Sequence, residues 1–576
     1  MKTKKILKDI FFEEVSSNVI FGIISAILIA LDTWILWFAK IRVSFTDWPI
    51  YLVIGFTALL LSGVGAFLRS VDYSEGGNFI NKVCAVGGVV SLLAFIIGTT
   101  GSGPLFQSRN LHSEVAAHVQ EAKGEAFPNL MGKNNDTSNL PLIGDAEAIK
   151  RAETEMGKYP ALGSQFQLDK DELTSQNLNG ELVYVIPLEP TDMFKWDSKE
   201  GAPGFFIVDR NSGETEFVEK AFFTTTAAPF GDNILRVVNS YLDKEGISGL
   251  TTDPSPEVDN EKNLHFITTV YNHKGFCGGY NEVFGVVDVN AHTKEAKFYS
   301  IKDIPEWVDR VIPEDFFVAY LGDYGTYKNG FWNSVFSKKD VQSMTTDSSL
   351  PATDEDTGKT HENPKTYDVV YIDGVCYYYT GWTSVGKEGA SNGIMMMNSR
   401  TGDITYYPTY GISEGKAQSV VEGLVSDKGY ESTYPLLLKV AGEETYFHLM
   451  RDKSENLVGY AFCSYKDYTK AAYGKSIDEA EVAYVKSLGK SAESVSAELD
   501  KAKAETAEGT IADIRSEVLD GNTIYYIKVD SVNDKIFSAH SKVNIDLVFA
   551  EKGDEIEIEY YASDSSVEAI KSCKIS

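Results

Sequence analysis

The chain has 576 residues, 43% hydrophobic and 24% charged, with a formal net charge of −30 at pH 7. That length exceeds what a single hydrophobic core supports, so several domains are expected. The first hundred residues are close to neutral, which places nearly all the negative charge on the remainder. This argues against nucleic acid as a partner and suits a body that stands clear of the bilayer or attracts cations and basic partners.

Three apolar runs open the chain at 19–39, 50–68 and 83–99, each about long enough to cross a hydrocarbon core of about 30 Å as a helix. Residues 1–104 therefore read as a three-helix membrane anchor. The first run ends in Trp37-Phe38-Ala39-Lys40, without a small-residue cleavage site, so a removable signal peptide is not expected. Lys2, Lys4, Lys5, Lys8, Arg69 and Lys82 fall on one side, against Lys40, Arg42 and Arg109 on the other. The balance predicts a cytoplasmic N-terminus and an extracytoplasmic body after the third span. Asp32 lies within the first span and is a candidate intramembrane polar site. Small residues at 62–66 and 85–88, with Ser91, allow close helix packing and self-association through the anchor.

Residues 105–160 read as a connector and a helix over 146–157, ending at a glycine. Beyond it one pattern recurs: an apolar strand, a polar loop, a Gly-led apolar strand, a tight turn and another strand. The Gly-led segments start at Gly204, Gly285, Gly393 and Gly459. Five residues after the first three stand Asp209, Asn290 and Asn398, whose short side chains can bond the backbone two residues on and start a turn. Four further along, Gly213 and Gly402 suit a positive φ, while the second segment has Lys294 there. Helices over 232–242, 414–425 and 477–488 punctuate the strands. The predicted class is α+β, with repeats one and two over 161–338 and repeats three and four over 366–475. Between them, 339–365 reads as a flexible linker. Residues 476–508 read as a helical spacer broken at Gly489, and 509–576 as a small β-barrel of oligosaccharide/oligonucleotide-binding type.

The phrases Val208-Asp209-Arg210-Asn211-Ser212-Gly213-Glu214 and Met397-Asn398-Ser399-Arg400-Thr401-Gly402-Asp403 resemble the strand-ending turn of PepSY-type domains in bacterial exported proteins. The resemblance implies an extracytoplasmic binding or inhibitory module, often beside peptidases, without chemistry of its own.

The eight histidines form no His-x-x-x-His or His-Glu-x-x-His pair. No Gly-x-Ser-x-Gly elbow, phosphate loop or dinucleotide fingerprint is present either. The sequence thus assigns no catalytic residue, no cofactor and no metal ligand. His273 and Cys277 are four apart but flank a Gly-rich loop, and the acidic clusters at 169–172, 253–261 and 354–356 lack the calcium-hand spacing and read as solvated charge. The five cysteines are scattered singly and specify no disulfide among Cys277, Cys376, Cys463 and Cys573. One stretch, 305–315, reads as a helix packed by Trp307; Trp307, Asp309 and Arg310 are also the candidate contact for a partner protein. A membrane-anchored binding or scaffolding protein is the expectation, with a regulator of an envelope process (a peptidase inhibitor, or a sensor coupled through Asp32) as the alternative. An enzyme would return to consideration only if a pocket joined His265 or His448 to buried carboxylates.

Overall fold

The computed structural model describes residues 17–38, 42, 44, 47–72, 78–123, 127–128, 140–345, 367–372, 374–385, 390–454, 456–489, 504–519, 522–540, 543–561 and 567–575. Three helices, α1 (Ser17–Phe38), α2 (Trp48–Asp72) and α3 (Asn78–Ser102), are long and apolar enough to cross a membrane. Their outward faces are aliphatic and exposed, as lipid-facing helices require. The small residues work where α2 meets α3: a Cβ on Gly88 would lie 3.0 Å from the Gly55 carbonyl oxygen, and Ser91 Oγ donates to the Tyr51 carbonyl at 2.8 Å. Gly63 and Gly87 touch nothing. Only one face of each small-residue cluster packs.

After Gly103 the chain continues as α4 (Pro104–Ala116) and a short strand, Val119–Glu121. Four sheets follow, antiparallel but for Val119–Glu121, which joins the third in parallel, and the strand orders of their other members match. Each has a long central strand: Glu181–Pro190, Leu264–Gly275, Val375–Ser384 and Glu443–Arg451. On one side the central strand pairs with two shorter strands. On the other it pairs with the Gly-led strand, which turns back into the last. Helices α5 (Asp145–Met156), α6 (Ile234–Glu245), α7 (Glu314–Thr326), α8 (Glu414–Leu424) and α9 (Ile477–Ser487) accompany them.

The turn residues act alike in every sheet. Asp209, Asn290 and Asn398 each accept from the backbone N–H groups two and three residues on, and Ser464 Oγ does so in the fourth sheet. Gly213, Lys294 and Gly402 are all left-handed, with φ of 73°, 61° and 77°. Lysine there accepts a strain that glycine avoids. The N–H of Ile143, Phe223, Ile312 and Ile412, preceding the helices, donates to the carbonyl of Arg210, Ala291, Ser399 and Tyr465, the residue just after each turn starter.

The leading glycines have a steric cause. At Gly204, Gly285, Gly393 and Gly459 an added Cβ would strike the carbonyl oxygen of the paired strand and the ring of Phe217, Phe298, Tyr406 or Tyr473, which lies across the glycine. Backbone approach that close admits no side chain.

Successive sheets share their cores. In the second, Phe266 and Val287 face the core of the first sheet, while neighbouring Ile267 and Val286 face that of the third. In the third, Tyr378, Met395 and Met397 face back, and Tyr379, Ile394 and Met396 face the fourth. Sheets covered on both faces need continuous apolar runs, which accounts for Ile394-Met395-Met396-Met397. Repeats two and three are therefore not separate blocks. The expected linker is also shorter: Gln342–Met344 is a strand paired with Val375–Ser384, while 346–366 lies outside the described residues. Likewise the expected helical spacer ends early, because 504–508 belongs to the strand Ala504–Leu519 and 490–503 lies outside the described residues. The last five strands pair in a closed ring around a separate core that includes Ile527, Phe537 and Ile558.

Gly285→Ala should destabilise the body by about 1–3 kcal/mol, the range for forcing atoms into a packed site. Thermal unfolding should show a lowered midpoint. Gly180→Ala, where an added Cβ meets nothing but φ is 98°, should cost less.

Candidate functional site

The sheets meet around their second strands, and the contacts there are polar. Gln176 is fully buried; its amide donates to the carbonyls of Val258 (2.7 Å) and Trp307 (3.0 Å) and accepts from Val258 N–H. Glu257 is fully buried and accepts from the N–H groups of Asp309 (2.7 Å) and Arg310 (3.0 Å). Asp309 Oδ2 accepts from Asn177 N–H at 2.7 Å, and Arg310 pairs with Glu314 at 2.6 Å. Burial, and then the neighbouring Asp309 charge, pushes the Glu257 carboxyl well above the usual range; burial does the same to Asp309.

These contacts overturn two expectations. Residues 305–313 are not helical; helix begins at Glu314. Trp307, Asp309 and Arg310 do not form an outward rim, since Asp309 is only 3% exposed and Trp307 packs against His265 with centroids 4.8 Å apart and planes tilted by 57°. Arg400 clasps the segment by donating to the carbonyls of Ile304, Glu306 and Val308. The stretch is specified because it locks sheets one, two and three together.

Beside this junction lies a cavity of about 570 Å³, lined by Asp145, Asp171, Glu172, Asp253, Glu314, Asp315 and Asp368 against two guanidinium groups, Arg210 and Arg310. Asp145, Glu314 and Asp315 occupy first turns of helices, where carboxylates are favoured by the exposed N–H groups. A second cavity of about 320 Å³, reaching the fourth sheet at Ser432 and Arg451, shares Asp145, Tyr184, Arg210 and Asp368. Arg210 is only 6% exposed. It donates to Ser175 Oγ at 2.7 Å and lies over the Tyr184 ring at 4.7 Å, while its Nε has no protein partner.

The acidic clusters at 169–172 and 253–261 are not merely solvated charge, and 354–356 lies outside the described residues. Asp169 is buried, accepts from Thr226 Oγ1 at 3.3 Å, and is pushed up to about 6 by burial and then by Glu189. Glu172 is pushed up to about 8 by burial, then by the charges of Asp169 and Asp253. Sequence spacing hides this convergence because Glu172 and Asp253 meet only through the pairing of sheets one and two. Arg210 did leave a signal: the equivalent positions after the other turn starters are Ala291, Ser399 and Tyr465, so a guanidinium there stands out.

Of the two histidines named as conditions for catalysis, His265 lines a cavity of about 880 Å³ together with the buried Asp288, and His448 is fully buried. His265 Nδ1 is 2.6 Å from Asp288 Oδ1, and its Nε2 lies 3.4 Å from Asn290 Nδ2 and 3.6 Å from Asp259 Oδ2, so both ring nitrogens have partners. His448 Nδ1 meets Ser432 Oγ at 2.7 Å, but its Nε2 has no partner and burial lowers it to about 3, so it is a poor base near neutral pH. His273 and Cys277 are part of the hairpin that reaches the anchor, and among the described residues no group of three or more His, Cys, Asp or Glu is placed to hold a metal ion. All five cysteines are free thiols.

The anchor is coupled to the body at the near ends of its helices. Arg42 pairs with Asp243 at 3.1 Å and donates to the carbonyls of Asn239 and Ile247 at the end of α6. Arg236 lies 3.9 Å from the Trp37 ring centroid, and Phe276 packs edge-on against Tyr51. Deeper in the membrane segment, Thr57 Oγ1 donates to Asp32 Oδ2 at 2.5 Å, joining α1 to α2.

No protein-family model and no curated protein matches the sequence. Among solved structures, a B. megaterium levansucrase mutant aligns over 69% of this chain and 82% of its own, at 10% identity and a TM-score of 0.15, a likeness too slight to bear on fold or activity.

A carboxyl whose pKa is higher in the folded chain holds its proton more tightly there. Its contribution is full below the ordinary value of 4.5 and declines as pH rises towards about 8. Glu172→Gln should therefore flatten the fall in unfolding midpoint between pH 5 and 8 and leave the variant the more stable at pH 8. Parallel pH profiles would remove Glu172 from this role.

Proposed function

We propose that the chain is a membrane-anchored, extracytoplasmic binding or scaffolding protein that works by recognition, without catalysis. In this reading the four sheets are copies of one PepSY-like unit, and the closing barrel is of oligosaccharide/oligonucleotide-binding type turned to protein contact. The basic residues flanking the spans support the orientation, and the matching strand orders and turn bonds support the repetition.

The observation that carries the functional reading is the acidic cavity where the units meet. Seven carboxyl-bearing side chains against two guanidiniums form a lining suited to a cationic group, so the partner is a protein presenting a lysine- or arginine-rich segment. Titrating the full chain in nanodiscs with a lysine-rich peptide should give binding that weakens with salt and strengthens from pH 5.5 to 8 as Asp169 and Glu172 ionise. Glu172→Gln with Asp253→Asn should weaken it about fivefold to tenfold, the loss of two partly solvated ion pairs. Equal affinity in variant and parent would end the reading.

The Asp32–Thr57 bond and the Arg42 contacts favour a second reading, a regulator in which the anchor and the body respond to one another. Asp32→Asn should then change peptide affinity in nanodiscs while leaving insertion intact. An unchanged affinity would exclude coupling by this route.

A further inference from the structure

The body carries exposed aromatic residues where it has no interior reason to. After α7 the chain makes a short π-helical turn, Asn333–Ser337, from which Trp332 and Phe336 project 63% and 75% exposed. Their rings stack on one another, with centroids 5.7 Å apart and planes within 11°. Nothing in the described residues covers them.

Their position in the fold names the cover. Phe331 N–H donates to Ser108 Oγ at 3.0 Å, and Gly330 packs beside Arg109. Ser108 lies four residues into α4, about 6 Å along a helix that starts two residues past the end of the third span. One turn nearer the span, Leu105 and Phe106 are themselves 43% and 67% exposed. The aromatic turn is thus tied to the first turns beyond the bilayer. The charge there also departs from the rest of the body: Arg109, Lys328, Lys338 and Lys339 flank the aromatics, with Asp340 as the nearby acid in this sequence, inside a chain of net charge −30.

We infer that the turn around Trp332 and Phe336 is a membrane-seating element, which buries its rings in the headgroup region while the flanking lysines face anionic lipid phosphates. Aromatic rings with flanking cations suit that interface, where one end of the side chain is dry and the other wet. The continuity of the patch with the three spans selects lipid over a second copy or a protein. A second exposed aromatic lies near the end of α1. There Phe230, 63% exposed in a left-handed backbone with φ of 50°, precedes Gly231 and α6, close to Trp37.

The test uses the full chain in nanodiscs made with ordinary phospholipid or with phospholipid brominated near the top of its acyl chains. Subtracting the emission of Trp332→Phe from that of the parent isolates Trp332 and cancels the tryptophans of the spans. The Trp332 component should lose about half or more of its intensity in brominated discs. In anionic discs, Lys338→Glu with Lys339→Glu should reduce that quenching. A Trp332 component equally bright in both lipids overturns the inference, and a blue-shifted but unquenched one does so too, by showing that protein covers the patch.

Discussion

The body depends on one constraint: its middle sheets have no free face. Neighbouring residues on a strand point to opposite sides, so a strand such as Ile394-Met395-Met396-Met397 serves two cores at once. Each core is completed by the next sheet and its helices, and removing any one layer would expose the apolar faces of two. This is why Gly204, Gly285, Gly393 and Gly459 are so tightly placed. An aromatic ring laid over the glycine fills the layer without pushing the sheets apart. The same constraint ties the anchor to the distant sheets, since Val119–Glu121, only seventeen residues past the third span, pairs in parallel with Ile404–Tyr406 in the third sheet.

Stacking has an electrostatic cost that the junction meets with backbone. Bringing the second strands and the segment 305–313 together buries Gln176, Glu257 and Asp309, and each finds backbone N–H or carbonyl partners from outside its own element. Buried polar groups are tolerable only when so satisfied, and once satisfied they fix which strand meets which. Beside them seven carboxyl side chains face two guanidiniums across the cavity, and one of them, Glu172, is pushed up to about 8 by burial and then by the charges of Asp169 and Asp253.

Much of this was legible in the sequence. The three spans are continuous apolar runs, the turn starters Asp209, Asn290 and Asn398 carry their hydrogen-bonding chemistry in their residue type, and the leading glycines stand at one offset from them. What was hidden has a common cause. Val119–Glu121 and Gln342–Met344 are three residues long, too short for any periodicity, and exist because a longer strand elsewhere offers an edge. Asp309 reads as a surface residue because its carboxylate is satisfied by Asn177, 132 residues away, while Arg310 has its side-chain partner Glu314 close by but gives its backbone N–H to the distant Glu257. The acidic clusters misled for the same reason. A run of charge is solvated unless the fold folds it inward, and that is decided by sheet pairing.

The four sheets form one continuous stack, and the second and third share a core although 346–366 separates them in the sequence. The direct measurement is to place a protease site within 346–366, reconstitute the full chain in nanodiscs, and cleave it. If sheets two and three share the core formed by Ile267, Val286, Tyr378 and Met395, the fragment carrying the third and fourth sheets and the barrel stays with the disc after cleavage. Its release as a free, folded fragment would contradict the account.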